Sequence, residues 1–301
     1  MTRLLKTNYL LFLPILFILL NCTQKKDNPA SNPVMGSWDL IKYKDQQNDQ
    51  WTEYGDSIIY QKHLSPSHFV WFKFDKKNEM LLGLGGGTYD VDTNEYTENI
   101  HFFYPPFPSL KGTSIPFEME FKDGKWYHKG YLLDKQLDTE TGKVIEVDTI
   151  KVEEIWSKTT QKDNSDLSLV KTWKMLSYRD NLNGQYVEYP DFTNFIKLIT
   201  PTHFVWVKYD TQGDEIYATG AGTYTFNNHH YSESINMIFP ENTGQIGEKI
   251  NFEFELNDNK WFHFGYVPKL IIDSGGISKD SILIDEYWVP YLKTENQSYH
   301  F

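Results

Sequence analysis

Apolar and polar positions alternate with a period of two through most of the chain. His68, Val70, Phe72 and Phe74 stand on one side of such a run and Phe69, Trp71 and Lys73 on the other. The same pattern returns as His203, Val205, Val207 and Tyr209 against Phe204, Trp206 and Lys208. Side chains two residues apart share a face of a strand, so each run predicts a β-strand with a dry side. Phe117, Met119 and Phe121 alternate with Glu118 and Glu120, and Asp123-Gly124 turns the chain into Lys125-Trp-Tyr-His-Lys129. That is a hairpin signature, and Phe252 to Leu256, Asn257 to Asn259 and Lys260 to Phe264 repeat it. Further strands are expected at Gly36 to Lys44, Ser57 to Lys62, Gly86 to Val91, Tyr96 to Tyr104, Tyr131 to Leu133 and Thr149 to Ser157. No segment after the N-terminus sustains a helical period. Seven to nine locally linked antiparallel strands with one dry face require closure into a barrel or a sandwich, and a barrel also removes exposed edges.

The chain is an internal duplication. A shift of 135 residues places Trp38 on Trp173, Lys62 on Lys197, and Pro66-Ser-His-Phe-Val-Trp71 on Pro201-Thr-His-Phe-Val-Trp206. Gly87-Thr-Tyr89 falls on Gly222-Thr-Tyr224, Tyr96-x-Glu98-x-Ile100 on Tyr231-x-Glu233-x-Ile235, and Trp126-x-His128-x-Gly130-Tyr131 on Trp261-x-His263-x-Gly265-Tyr266. Near the end the shift becomes 132, where Glu154-x-Trp156 meets Glu286-x-Trp288. Two modules follow, residues 35–158 and 169–292, joined by the polar linker 159–168 and followed by a tail, 293–301.

Gly36-Ser-Trp38, the His-Phe-Val-Trp runs, Gly86-Gly-Thr-Tyr89, Tyr-x-Glu, Lys125-Trp-Tyr-His128 and Glu153-Glu-x-Trp156 together resemble the lipocalin-like domains of uncharacterised Bacteroidetes-type lipoproteins. The resemblance covers both modules. It implies an all-β chain of two tandem antiparallel calycin-type barrels, in an envelope setting and without an established activity. Ala221 stands where the first module has Gly86.

The N-terminus changes the picture of where the protein works. Arg3 and Lys6 precede an apolar run from Leu10 to Leu20, which ends at Cys22, the only cysteine of 301 residues. This spacing resembles a bacterial lipoprotein signal, residues 1–22, with Cys22 lipidated and residues 23–34 as a tether. The expected location is the cell envelope, at the outer membrane, with attachment through the lipid. The net charge of −12, lacking a basic stripe, excludes nucleic acid as a partner. No disulfide can form within the chain, so stability must come from buried cores.

Candidate chemistry follows from the alternation. If Tyr96, Ile100 and Phe102 face a core, so does Glu98; Glu233 lies likewise with Tyr231, Ile235 and Met237. His68 shares the face of Val70, Phe72 and Phe74, and His203 its equivalent. His128 and Glu154 flank Trp126 and Trp156 at strand spacing, as His263 and Glu286 flank Trp261 and Trp288. An inward carboxylate is costly unless compensated. The set His68, Glu98, His128, Glu154, His203, Glu233, His263 and Glu286 therefore fits three roles: hydrogen-bonded pairs between strands, the polar wall of a ligand cavity, or a metal or acid/base centre. The tryptophans read as core. Gly83-Leu-Gly-Gly-Gly87 lacks the lysine and helix of a phosphate loop and fits close backbone approach or a bulge. No hydrolase elbow is present, and neither a catalytic residue nor a cofactor is implied. The leading expectation is non-covalent binding of a small apolar or amphipathic ligand in each barrel. The alternatives are a structural or protein-interaction module with filled barrels, and a metal-dependent or acid/base enzyme.

Overall fold

A computed structural model describes residues 32–293 apart from 107–108, 138–143, 228–229, 241–244 and 274–275, with backbone only at 136–137, 270–273, 276–277 and 279. The expected export segment, Cys22, most of the expected tether and the tail beyond Lys293 lie outside the described residues.

The first half forms β1 (Gly36–Lys44), β2 (Trp51–Thr52), β3 (Ile58–Leu64), β4 (His68–Asp75), β5 (Met80–Asp92), β6 (Glu95–Tyr104), β7 (Ser114–Lys122), β8 (Lys125–Leu137) and β9 (Val144–Lys158). The second forms β10 (Thr172–Arg179), β11 (Tyr186–Glu188), β12 (Thr193–Ile199), β13 (His203–Asp210), β14 (Ile216–Asn227), β15 (His230–Phe239), β16 (Lys249–Asn257), β17 (Lys260–Asp273) and β18 (Gly276–Pro290). β1 pairs antiparallel with β3 and β10 with β12, each strand from β3 to β8 and from β12 to β17 pairs antiparallel with the next, and β1 closes on β9 as β10 closes on β18. The short β2 and β11 only extend β1 and β10, so each half is a closed eight-stranded up-and-down barrel. The tandem calycin-type architecture that the resemblance implies is the architecture observed.

Aromatic residues fill each interior. Trp38 caps one end of the first barrel, its indole donating to the Val34 carbonyl at 2.8 Å, and Trp173 repeats this with Leu169 at 2.9 Å. Trp38, Tyr96, Trp126 and Trp156 pack edge to face or tilted with centroids 5.2–6.4 Å apart. Such rings bury on the order of 150–250 Å² each and dominate the burial free energy.

The expectation of one dry face per strand fails along β4 and β13 and in parts of β3, β5, β6, β12, β14 and β15, which are buried on both. Phe69 points into the first barrel, whereas Val70, Phe72 and Phe74 point out of it and pack against Val205, Val207 and Tyr209 of the second. The barrels thus share a third apolar core between them. Reciprocal contacts give this interface an approximate twofold symmetry: Ser37 Oγ meets Thr200 Oγ1 at 2.8 Å, and Ser65 Oγ meets Thr172 Oγ1 at 2.8 Å. Under the 135-residue shift Ser37 becomes Thr172 and Ser65 becomes Thr200, so each pair is the image of the other. Tyr104 and Phe239, equivalent positions each followed by a cis proline peptide, pack with their rings tilted and centroids 5.3 Å apart. The Pro-rich loop after Tyr104 therefore begins at the barrel junction; its residues 107–108, and 241–244 of its counterpart, lie outside the described residues.

The glycine run has a geometric cause. A Cβ on Gly87 would lie 1.9 Å from the Asn99 carbonyl oxygen, and one on Gly85 2.7 Å from the Trp71 ring. Gly87 also marks a bulge, because Gly86 pairs with Phe102 but Gly87 pairs with Ile100, leaving His101 as the extra residue. The second barrel repeats it at Asn236.

Candidate functional site inside the barrels

The β5–β6 bulge reorients the predicted face. Tyr96, Glu98 and Ile100 point into the first barrel, but Phe102 beyond the bulge turns out to the interface; Met237 does the same in the second. Glu98 and Glu233 are buried, 4% and 3% exposed, beside Ile100 and Ile235.

What compensates them is a lysine on the facing strand. Lys62 of β3 is 3% exposed and places Nζ 2.7 Å from Glu98 Oε1; Lys197 of β12 meets Glu233 Oε1 at 2.8 Å. Each ammonium sits inside a ring of aromatic faces, with Lys62 Nζ 5.0 Å from the Trp156 centroid and 5.4 Å from those of Tyr96 and Trp126. Lys197 occupies the same cage of Tyr231, Trp261 and Trp288. The cage supplies cation–π attraction to a desolvated cation, and Glu supplies its countercharge. Neither lysine stands among the sequence candidates. Two signals mark them: the 135-residue repeat itself, and the alternation Tyr60-x-Lys62-x-Leu64, which puts Lys62 on an otherwise apolar face.

His128 of β8 and Glu154 of β9 are direct cross-strand partners. Nδ1 lies 3.0 Å from Glu154 Oε2, which also accepts the Trp156 indole N–H at 3.1 Å; His263, Glu286 and Trp288 repeat this at 3.2 and 3.1 Å. The His128 ring stacks on Phe117 at 3.9 Å. Burial, helped by the charge of Lys62, pushes the His128 imidazole below its ordinary range against the pull of Glu154. Burial acts to raise Glu154, yet the His128 and Trp156 donors and the Lys62 charge together hold it below the usual carboxylate range. A neutral imidazole thus donates to an ionised carboxylate, and Nε2 of His128 and of His263 has no protein partner.

His68 and His203 belong to neither cluster. They share the outward face of Val70 and Val205, at the barrel junction, where His68 stacks on Tyr291 at 4.8 Å and His203 lies 5.3 Å from His63. The proposed four-residue set of each module is therefore three interior residues and one interface residue.

The expectation of a ligand cavity in each barrel is overturned. The space between the polar clusters and the strands is taken by tryptophan, tyrosine and phenylalanine side chains of the chain itself, with Trp126, Trp156, Trp261 and Trp288 wholly buried. The second barrel keeps a recess of about 240 Å³ bordered by Lys197, Glu233, His263 and Glu286 together with apolar side chains such as Trp206 and Phe252. Ligand pockets usually measure about 300–1,000 Å³. The described residues also gather no group of three or more His, Cys, Asp or Glu able to hold a metal ion. Chemically, the clusters can hold charge and orient strands.

Residues 33–166 match the model of a family described as a domain of unknown function (DUF4488), a span that takes in the first barrel and most of the linker. No curated protein matches the chain. Among solved structures, the chain is similar to a tryptophan-to-alanine mutant of the vaccine antigen Transferrin Binding Protein B from Haemophilus parasuis Hp5. The identity is 8%, 85% of this chain and 76% of that one are covered, and the TM-score is 0.19.

Proposed function

We propose that the protein is a structural or protein-interaction module of the cell envelope, a lipocalin-like lipoprotein of the uncharacterised Bacteroidetes type held at the outer membrane through a lipid on Cys22. One observation carries the first part: both barrel interiors are occupied by their own side chains, so recognition falls to outer surfaces. The β8–β9 hairpin offers such a surface, since Tyr131, Leu133, Val144, Ile145 and Val147 are exposed on it. The spacing of Arg3, Lys6, the Leu10 to Leu20 run and Cys22 supports the second part.

Three experiments test the reading. A fluorescent fatty acid titrated into the mature chain is expected to show no saturable binding; saturable binding lost on filling the recess with Ala218→Phe would overturn it. In cells, cross-linking through the first hairpin is expected to capture one exported protein in constant ratio, and Leu133→Asp to abolish that capture; no cross-linked partner would remove the interaction role. Cys22→Ala is expected to eliminate palmitate labelling and release the chain from the membrane fraction.

A further inference from the structure

We propose that the cleft where the end of β18 meets the outer wall of the first barrel is a binding site for a small carboxylate or phosphate anion. The cleft holds about 180 Å³ and is bordered by His68, Thr88, His101, Tyr291 and Lys293. That volume suits a small anion with a few waters and excludes a lipid-sized ligand.

Its polar groups are built in, and several are unspent. His68 is 2% exposed, with Nδ1 2.8 Å from Ser67 Oγ and its ring against Tyr291, so Nε2 is left without a protein partner. His101 is the extra residue of the β6 bulge, and its ring makes no hydrogen bond among the described residues. Lys293 donates to the Tyr89 carbonyl at 3.0 Å and pairs with Asp90, which leaves an N–H free. The Thr88 hydroxyl accepts from Asn99 at 3.4 Å and keeps its own proton to donate. Thr113 and Ser114, by contrast, spend their protons on the Leu110 carbonyl and Asn99 Oδ1 and act as walls.

An ammonium beside two imidazoles repels a metal cation and attracts an anion. Burial pushes the His68 imidazole down to about 3, with help from His101 and Lys293, and burial with Lys293 lowers His101, so both rings favour the neutral form. An anion would reverse that balance and draw a proton onto an imidazole. The other charges nearby are already paired: Asp90 with Lys293, and Lys111 with Asp214. The site is built once. Under the 132-residue shift Tyr291-Leu292-Lys293 falls on Thr159-Thr160-Gln161, which supplies neither the ring nor the cation.

Titration of the mature chain with inorganic phosphate, and separately with acetate, followed through the imidazole ¹H–¹⁵N signals of His68 and His101, tests the proposal. Saturable shifts of both rings are expected, with affinity about tenfold higher near pH 6 than near pH 7 because one proton is taken up with the anion. Lys293→Gln and His68→Phe, the second keeping the stack on Tyr291, are each expected to weaken binding about tenfold or more, and Asp90→Asn to tighten it. A response to one anion alone assigns the class. No shift with either anion, or shifts unchanged in Lys293→Gln, would overturn the site.

Discussion

At the scale of single residues, the interior clusters are stabilising only as complete sets. Lys62 and Glu98 are each desolvated, and the cost is met by a 2.7 Å ion pair inside an aromatic cage. Lys62→Met is expected to cost about 3–5 kcal/mol, because it leaves a carboxylate buried beside Tyr96 without its countercharge. The double replacement Lys62→Met/Glu98→Leu is expected to recover most of that loss, by a coupling of about 2–3 kcal/mol in a denaturant double-mutant cycle. Additive losses would mean that the pair does not act as a unit. Glu98 was legible from alternation because a strand's faces are set by its own backbone. Its partner lies 36 residues away, and only barrel closure shows that Lys62 and Glu98 converge.

At the scale of elements, the two copies differ where the strands cross most closely. Gly86 pairs with Phe102 across β5 and β6, and a Cβ there would lie 2.5 Å from the Phe102 ring. The second barrel has Ala221 opposite Met237, a slimmer and more pliable side chain. A Cβ on Gly86 would also lie 2.8 Å from the Phe69 carbonyl oxygen, so Gly86→Ala alone is expected to destabilise by about 1–3 kcal/mol through overpacking, and Phe102→Met in the same chain to relieve only the side-chain part of it, as thermal melts will show. The bulge beside this pair has a larger effect than its single extra residue suggests. It sends Phe102 and Met237 outward, against a period-two reading that put them inside with Glu98 and Glu233. Bulges of this kind leave little trace in a hydrophobic pattern, because either side of β6 finds apolar surroundings. The long β8–β9 hairpin was foreseen only in pieces, since its outer half is neither alternating nor buried.

At the scale of the whole molecule, two barrels behave as one body because the faces of β3 to β6 and β12 to β15 complete each other. A protease site placed at residues 160–162 and cut in the folded chain is expected to leave the halves co-eluting on size exclusion, and Val205→Asp to separate them or unfold the chain. Separation of the cut wild-type halves would show that the shared core is too weak to hold them. The same interface carries buried histidines and therefore an acid sensitivity. Burial holds His203 at about 4 and His68 at about 3, and pushes His63 well below its ordinary value with His203 adding to it. An imidazole held below its unfolded value near 6.5 binds fewer protons folded than unfolded, so its stability contribution is whole above about pH 6.5. It is lost as the pH falls from there towards 4 for His203 and 3 for His68. His63→Leu places in the first barrel the residue that Leu198 already supplies in the second. Urea midpoints at neutral pH and near pH 4.5 are expected to show the acid loss shrinking by about 1 kcal/mol or more in that variant.

The amino-acid order by itself determined the all-β class, the duplication, and the inward placement of Glu98, Glu233, His128 and His263. Each of these follows from local alternation and from repetition, which need no knowledge of distant neighbours. Only the tertiary structure decided what occupies the barrels, which lysine answers each buried carboxylate, and which apolar face belongs to the neighbouring module. A hydrophobic side chain records that it leaves water but not what it leaves water for. The contacts that settle that question join residues far apart in the chain.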